Sequence, residues 1–169
     1  MKGQRVLVDT MVVIEAHRMG CWNALAHYFS VETVEQCVIE CATGYRRRKG
    51  YVPIDQQQLV SQIKVHGVTE ALRAALLMAD PGAAAIDSGE KDLLSYALTQ
   101  PDTLVLCSPD KAAVSSTYRL KPSGNTLFDR LVALEELALE AGFRKQGYGK
   151  NHTKEWLTTY KTKVQLGIL

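Results

Sequence analysis

Three observations predict an α/β fold: a central, mostly parallel sheet of about four to five strands between two layers of helices. Short apolar runs of strand length alternate with stretches of helical periodicity along the chain. Two of those runs carry an acid at or just beyond their carboxyl end, Arg5-Val6-Leu7-Val8-Asp9 and Thr103-Leu104-Val105-Leu106-Cys107 followed by Ser108-Pro109-Asp110. Between them, residues 83–110 join an acidic helix start, an apolar helical stripe and a strand buried on both faces.

After Asp9, Met11, Ile14 and Arg18 fall at helical spacing over 10–19, and Gly20 supplies the stop. A second short helix is predicted over 21–27, with Trp22, Leu25 and Ala26 inward, and a short strand over 28–31. Over 33–43, Val34, Cys37, Val38 and Cys41 share one helical face. Glu35 and Glu40 flank that face at similar offsets, so helix geometry alone leaves open which one turns into a site. Residues 63–68 alternate like a third strand, and Thr69 caps a helix through residue 79.

Asp87-Ser88-Gly89-Glu90 has the spacing of a capping box, which starts a helix near Ser88 and puts Asp92 in its first turn, near the free amides. A helix follows Asp110 over 111–118. The longest apolar stripe, Leu127, Leu131, Leu134, Ala138 and Ala141, predicts a helix over 126–141, with Asp129, Glu135, Glu136 and Glu140 outside and Gly142 at its end. A last edge strand over 143–148 and an amphipathic helix over 150–165, carrying Trp156, Tyr160 and Val164, complete the chain. That helix packs either on the domain or on a second copy, a homodimer.

Composition narrows the function classes. The 169 residues suit one ordinary domain, with 46% hydrophobic and 22% charged residues. A net charge of +2, from 20 basic and 18 acidic residues, does not by itself argue for nucleic acid. Cys21, Cys37, Cys41 and Cys107 form no CxxC pair, and the four histidines show no ligand spacing; reduced thiols in a cytoplasmic protein and no zinc site are expected. No apolar run approaches the ~18 residues of a membrane span, so no membrane partner is expected.

On a parallel sheet, sites form beyond the carboxyl ends of the strands. Asp9 and Asp110 leave two such ends and Asp92 starts the helix feeding one of them, so the three acids can meet, with a glutamate from the 33–43 helix as a fourth. Clustered carboxylates repel one another unless a cation neutralises them, and an oxygen-only donor set favours Mg²⁺ or Mn²⁺. Such ions suit phosphodiester hydrolysis. Four consecutive cations, Arg46, Arg47, Arg48 and Lys49, stand between Tyr45 and Tyr51. They read either as contacts to phosphates and unpaired bases or as an ordinary solvated surface loop.

Val-Leu-Val-Asp-Thr at 6–10, Val-Ile-Glu at 38–40, the stretch 86–98 containing Gly89-Glu90-Lys91-Asp92, and Leu-Val-Leu-Cys-Ser-Pro-Asp at 104–110 together resemble, in order, the acidic motifs of the PIN domain family. The resemblance spans roughly residues 5–148. It implies a PIN-like nuclease domain over 1–148 with a helical extension over 149–169, and metal-binding catalytic acids at Asp9, Glu40, Asp92 and Asp110. Its Val-Ile-Glu context favours Glu40 over Glu35. The Gly-Glu-Lys-Asp variant leaves Glu90 as a substitute or auxiliary ligand for Asp92. Ser108 stands one residue out of register for the hydroxyl that often precedes the last acid. The activity implied is that of a metal-dependent endoribonuclease acting on RNA, with many bacterial members of the family being toxins neutralised by an antitoxin.

Two other classes fit poorly. An aspartyl phosphatase calls for Asp-x-Asp where this chain has Asp9-Thr10-Met11, and a dinucleotide site calls for a Gly-rich turn after the first strand. The rival that stands is a PIN-like module that binds RNA or protein without cutting.

Overall fold

Alternation along the first strand decides how the layers form. In the computed structural model, which describes residues 2–43 and 52–168, β1 (Arg5–Val8) sends Val6 and Val8 to one face and Leu7 to the other. It lies inside a four-stranded sheet with β2 (Ser30–Val34), β3 (Lys64–His66) and β4 (Val105–Cys107), in the order β3-β2-β1-β4 with every pair parallel. Val6 sits between Val31 and Val105.

On the Val6 and Val8 side, α1 (Thr10–Met19) and α2 (Trp22–Tyr28) bury Val12, Val13, Trp22 and Leu25, and α8 (Leu134–Glu140) adds Leu134 and Leu137. On the Leu7 side, α5 (Glu70–Ala79), α6 (Ser88–Ala97) and α7 (Lys111–Arg119) bury Leu76, Leu93, Leu94 and Val114. Two further helices, α3 (Glu35–Thr43) and α4 (Gln56–Gln62), complete this part of the fold. The three-layer α/β/α architecture follows from helices on both faces of a parallel sheet. Gly20, with φ of +78°, ends α1 in a left-handed turn whose N–H reaches the carbonyls of Ala16 and His17.

The last helix, α9 (Lys154–Leu166), follows a short 3-10 turn over Lys150–His152. Its Trp156, Leu157, Tyr160 and Val164 join the core on the Leu7 side, so its apolar stripe packs on the domain itself. Among the described residues, no helix is long and apolar enough to cross a membrane. All four cysteines are free and buried.

Two predicted elements are corrected. The single helix over 126–141 is only α8, seven residues long. The Asn125 side chain accepts the Leu127 N–H at 2.8 Å and turns the chain, and residues 130–132 then run beside β4. Leu106 donates its N–H to the Arg130 carbonyl at 3.1 Å and accepts the Val132 N–H at 3.0 Å. Satisfying the open backbone of β4 outweighs helical propensity there, because an unpaired buried peptide group is costly. The same pairing occupies the sheet edge, and 143–148 forms no strand. Elsewhere, boundaries moved by a few residues: β2 extends to Val34, so α3 begins at Glu35.

Candidate active site

The chain runs from β1 through β2 to β3 in one direction and then returns to place β4 on the other side of β1. The carboxyl ends of β1 and β4 therefore flank a topological switch point, where open α/β sheets leave a crevice.

Asp9 stands there as the cap of α1, 1% exposed. One carboxylate oxygen accepts the Val12 N–H at 2.9 Å and the other accepts the Ser108 hydroxyl at 2.8 Å. Burial, with Asp110 adding to it, pushes the carboxyl up to about 6 against those two hydrogen bonds. Asp110 caps α7 by accepting the Ala113 N–H at 2.9 Å, and its own N–H reaches the Ser108 oxygen at 3.2 Å. Ser108, one residue out of the expected register, is 4% exposed and turned into Asp9. It ties the two strand ends together.

Glu40 reaches the cluster from α3. Its carboxylate accepts the Thr10 hydroxyl at 2.8 Å, the Gly89 N–H at 3.1 Å and the Ser88 hydroxyl at 3.3 Å. The choice that helix geometry left open thus falls on Glu40, since Glu35 is exposed and lies beside Gly67. The capping box predicted at Asp87 is corrected as well: Asp87 makes no side-chain cap, and Glu40 serves the start of α6. A side chain on Gly89 would overlap the Glu40 carboxylate, so this approach requires glycine.

Glu90 and Asp92 part company. Arg73 of α5 grips Asp92 in a bidentate pair at 2.6 and 2.8 Å, with the Asp92 side chain only 9% exposed. Residues two apart on a helix do not face the same way, and Glu90 turns toward the other acids. Its carboxyl is pushed up to about 9, by burial first and then by the charges of Asp110, Asp9, Asp87 and Glu40. The structure thus brings Asp9, Glu40, Glu90 and Asp110 together, while Asp92 is matched by a guanidinium.

Uncompensated carboxylates of this kind are the donor chemistry that a hard divalent cation relieves. Among the described residues, no three His, Cys, Asp or Glu side chains already stand in a ligating arrangement, so the acids are neighbours rather than a closed cage. Arg46, Arg47, Arg48 and Lys49 lie outside the described residues. Sequence reasoning missed Thr10, Gly89 and Arg73. The Thr beside Asp9 was a local signal for the first of these, whereas the partners of Gly89 and Arg73 are brought by other helices. No protein-family model matches the chain, and no curated protein matches it in sequence.

Proposed function

We propose that the chain is a metal-dependent ribonuclease of the PIN domain type, hydrolysing phosphodiester bonds at the carboxyl ends of β1 and β4. The observation that carries this reading is the placement of Asp9 and Asp110 at the two adjacent strand ends, tied by Ser108, with Glu40 and Glu90 brought beside them; burial and the neighbouring charges push the Glu90 carboxyl up. Carboxyls perturbed by burial and by one another at a topological switch point mark a candidate functional site.

In this reading Asp9, Glu90 and Asp110 hold Mg²⁺ or Mn²⁺, with Glu40 beside them, and Asp92 is a structural acid. The bound ion would supply an activated water and would neutralise charge on the phosphoryl group. The chain's own residues do the positioning. Ser108 holds Asp9 and Asp110 at a common edge, and Thr10 with the Gly89 amide holds Glu40. Until an ion binds, Glu90 keeps its proton at neutral pH. RNA as the substrate, and an antitoxin as a partner, rest on the motif resemblance.

The test is cleavage of a panel of single-stranded and structured RNAs with Mg²⁺ or Mn²⁺ and with EDTA, using the parent protein, Asp9→Asn and Asp110→Asn. Metal-dependent cleavage lost in both variants establishes the reading. RNA or protein binding without cleavage, unchanged in both variants, replaces it with a non-catalytic module.

A further inference from the structure

A cavity of about 380 Å³ opens where α7 meets α9, and its lining is basic. Lys111, Lys150 and Lys163 edge it, Thr159 adds a hydroxyl, and Trp156 and Tyr160 form its floor. All three lysines are exposed. Unlike Lys121, paired with Asp129, and Lys154, paired with Glu136, none of them has an ion-pair partner among the described residues. Glu155 is the only acid in the lining, set against three ammonium groups.

The frame beneath the lysines is rigid. Trp156 and Tyr160 stack with centroids 5.4 Å apart and planes 3° from parallel, and the Tyr160 hydroxyl bonds Ser115 of α7 at 3.1 Å. Lys111 leans over the Tyr160 ring at 6.0 Å. Lys111 directly follows Asp110, so the start of α7 carries both one acid of the cluster and one edge of the cavity.

That adjacency points to an occupant. Four clustered acids repel a polyanion, and a phosphodiester chain reaches them only if nearby cations hold the phosphates on either side of the scissile bond. Ammonium groups on flexible stems act as point charges toward phosphate oxygens and carry no base code. The two rings are each 9% exposed and offer no open face on which a base could stack.

We propose that the cavity between α7 and α9 is a phosphate-backbone subsite for the RNA strand flanking the scissile bond, sequence-independent in its contacts. This rests on the nuclease reading for its occupant, and the experiment separates the two. Binding of a fluorescein-labelled single-stranded RNA is measured in EDTA across a series of KCl concentrations. The parent protein is compared with Lys150→Glu/Lys163→Glu and with a charge-matched control at the opposite end of the sheet, Lys2→Glu/Lys64→Glu. The cavity variant is expected to lose about tenfold or more in affinity, and the slope of log K against log salt should become shallower by about 1.4, at roughly 0.7 per lost phosphate contact. Equal losses in the two double variants overturn the proposal, as does an absence of RNA binding by the parent. Competition by poly-glutamate as effective as that by RNA of equal charge also overturns it, in favour of an acidic protein partner. Because the assay runs without metal, a protein that binds RNA through this cavity and cuts nothing retains the subsite and loses only the nuclease reading.

Discussion

The Ser108 hydroxyl donates to Asp9 at 2.8 Å while its oxygen accepts the Asp110 N–H at 3.2 Å, so one side chain links the ends of two adjacent parallel strands. That link also tunes the site, because the hydrogen bond opposes the burial that raises the Asp9 carboxyl to about 6. Metal binding requires the deprotonated carboxylate.

Ser108→Ala should therefore move Asp9 to a still higher pKa and weaken Mn²⁺ binding more at pH 6 than at pH 8. Titration calorimetry at the two pH values reads this directly. An equal loss at both would mean that Ser108 acts only as a structural tie. The variant should also lose about 1 kcal/mol of stability with the hydrogen bond.

Gly89 sits against the Glu40 carboxylate so closely that an added methyl group has no room. Gly89→Ala should push the Glu40 carboxylate off the start of α6, costing about 0.5–2 kcal/mol in lost capping, offset in part by the higher helix propensity of alanine. Glu40→Ala in the same background should then cost little more, since the contact is already broken. A thermal-denaturation double-mutant cycle checks it, and additive losses would show that the two residues are uncoupled.

Much of this site could be read without the structure because its parts are local. Asp9 directly follows an apolar strand, and Asp110 follows another by three residues; both positions survive errors of one or two residues in strand boundaries. The choice between Glu90 and Asp92 depends on how α6 is rotated about its own axis. The rotation buries Leu93, Leu94 and Ala97, as their spacing directs, but the guanidinium that takes Asp92 out of the cluster comes from Arg73, 19 residues away on another helix, and no periodicity within 88–97 encodes that partner. The helix expected over 126–141 failed for a related reason: Leu127 and Leu131 are four apart, which suits a helical stripe, yet Leu127 fills a turn and Leu131 bridges to β4. Tertiary hydrogen bonding outranked local pattern.

On the inner strand β2, Glu32 is fully buried and accepts two hydrogen bonds from Arg5, at 2.6 and 2.9 Å, with His66 at 2.8 Å. Burial raises its carboxyl, but the Arg5 and His66 bonds outweigh it and hold the group below its usual range. A depressed carboxyl contributes stability that is present above its unfolded pKa of about 4.3 and is lost as pH falls through the folded value. Glu32→Gln should cost about 3 kcal/mol at pH 7, the lower end for a buried pair because Arg5 keeps 30% of its side chain exposed. Melting curves between pH 3 and 7 should show a flatter acid limb for the variant than for the parent, and parallel curves would count against a titrating role.

Glu90 has the opposite sign. Its carboxyl is raised, so in metal-free protein its contribution is full below the unfolded pKa and is lost as pH rises through about 9. Glu90→Gln removes that loss. In EDTA the variant should melt higher than the parent, with the gap widening as pH rises from about 5 to 9. Mn²⁺ should stabilise the parent strongly and the variant weakly, because the ion relieves a repulsion that the amide no longer contributes. Asp92→Asn should behave otherwise: it leaves Arg73 without its charge partner, lowers the melting temperature across the whole pH range and keeps the Mn²⁺-induced rise. The reverse pattern, with the metal response lost in Asp92→Asn and kept in Glu90→Gln, would assign the third acid to Asp92 and require α6 to rotate when the ion binds.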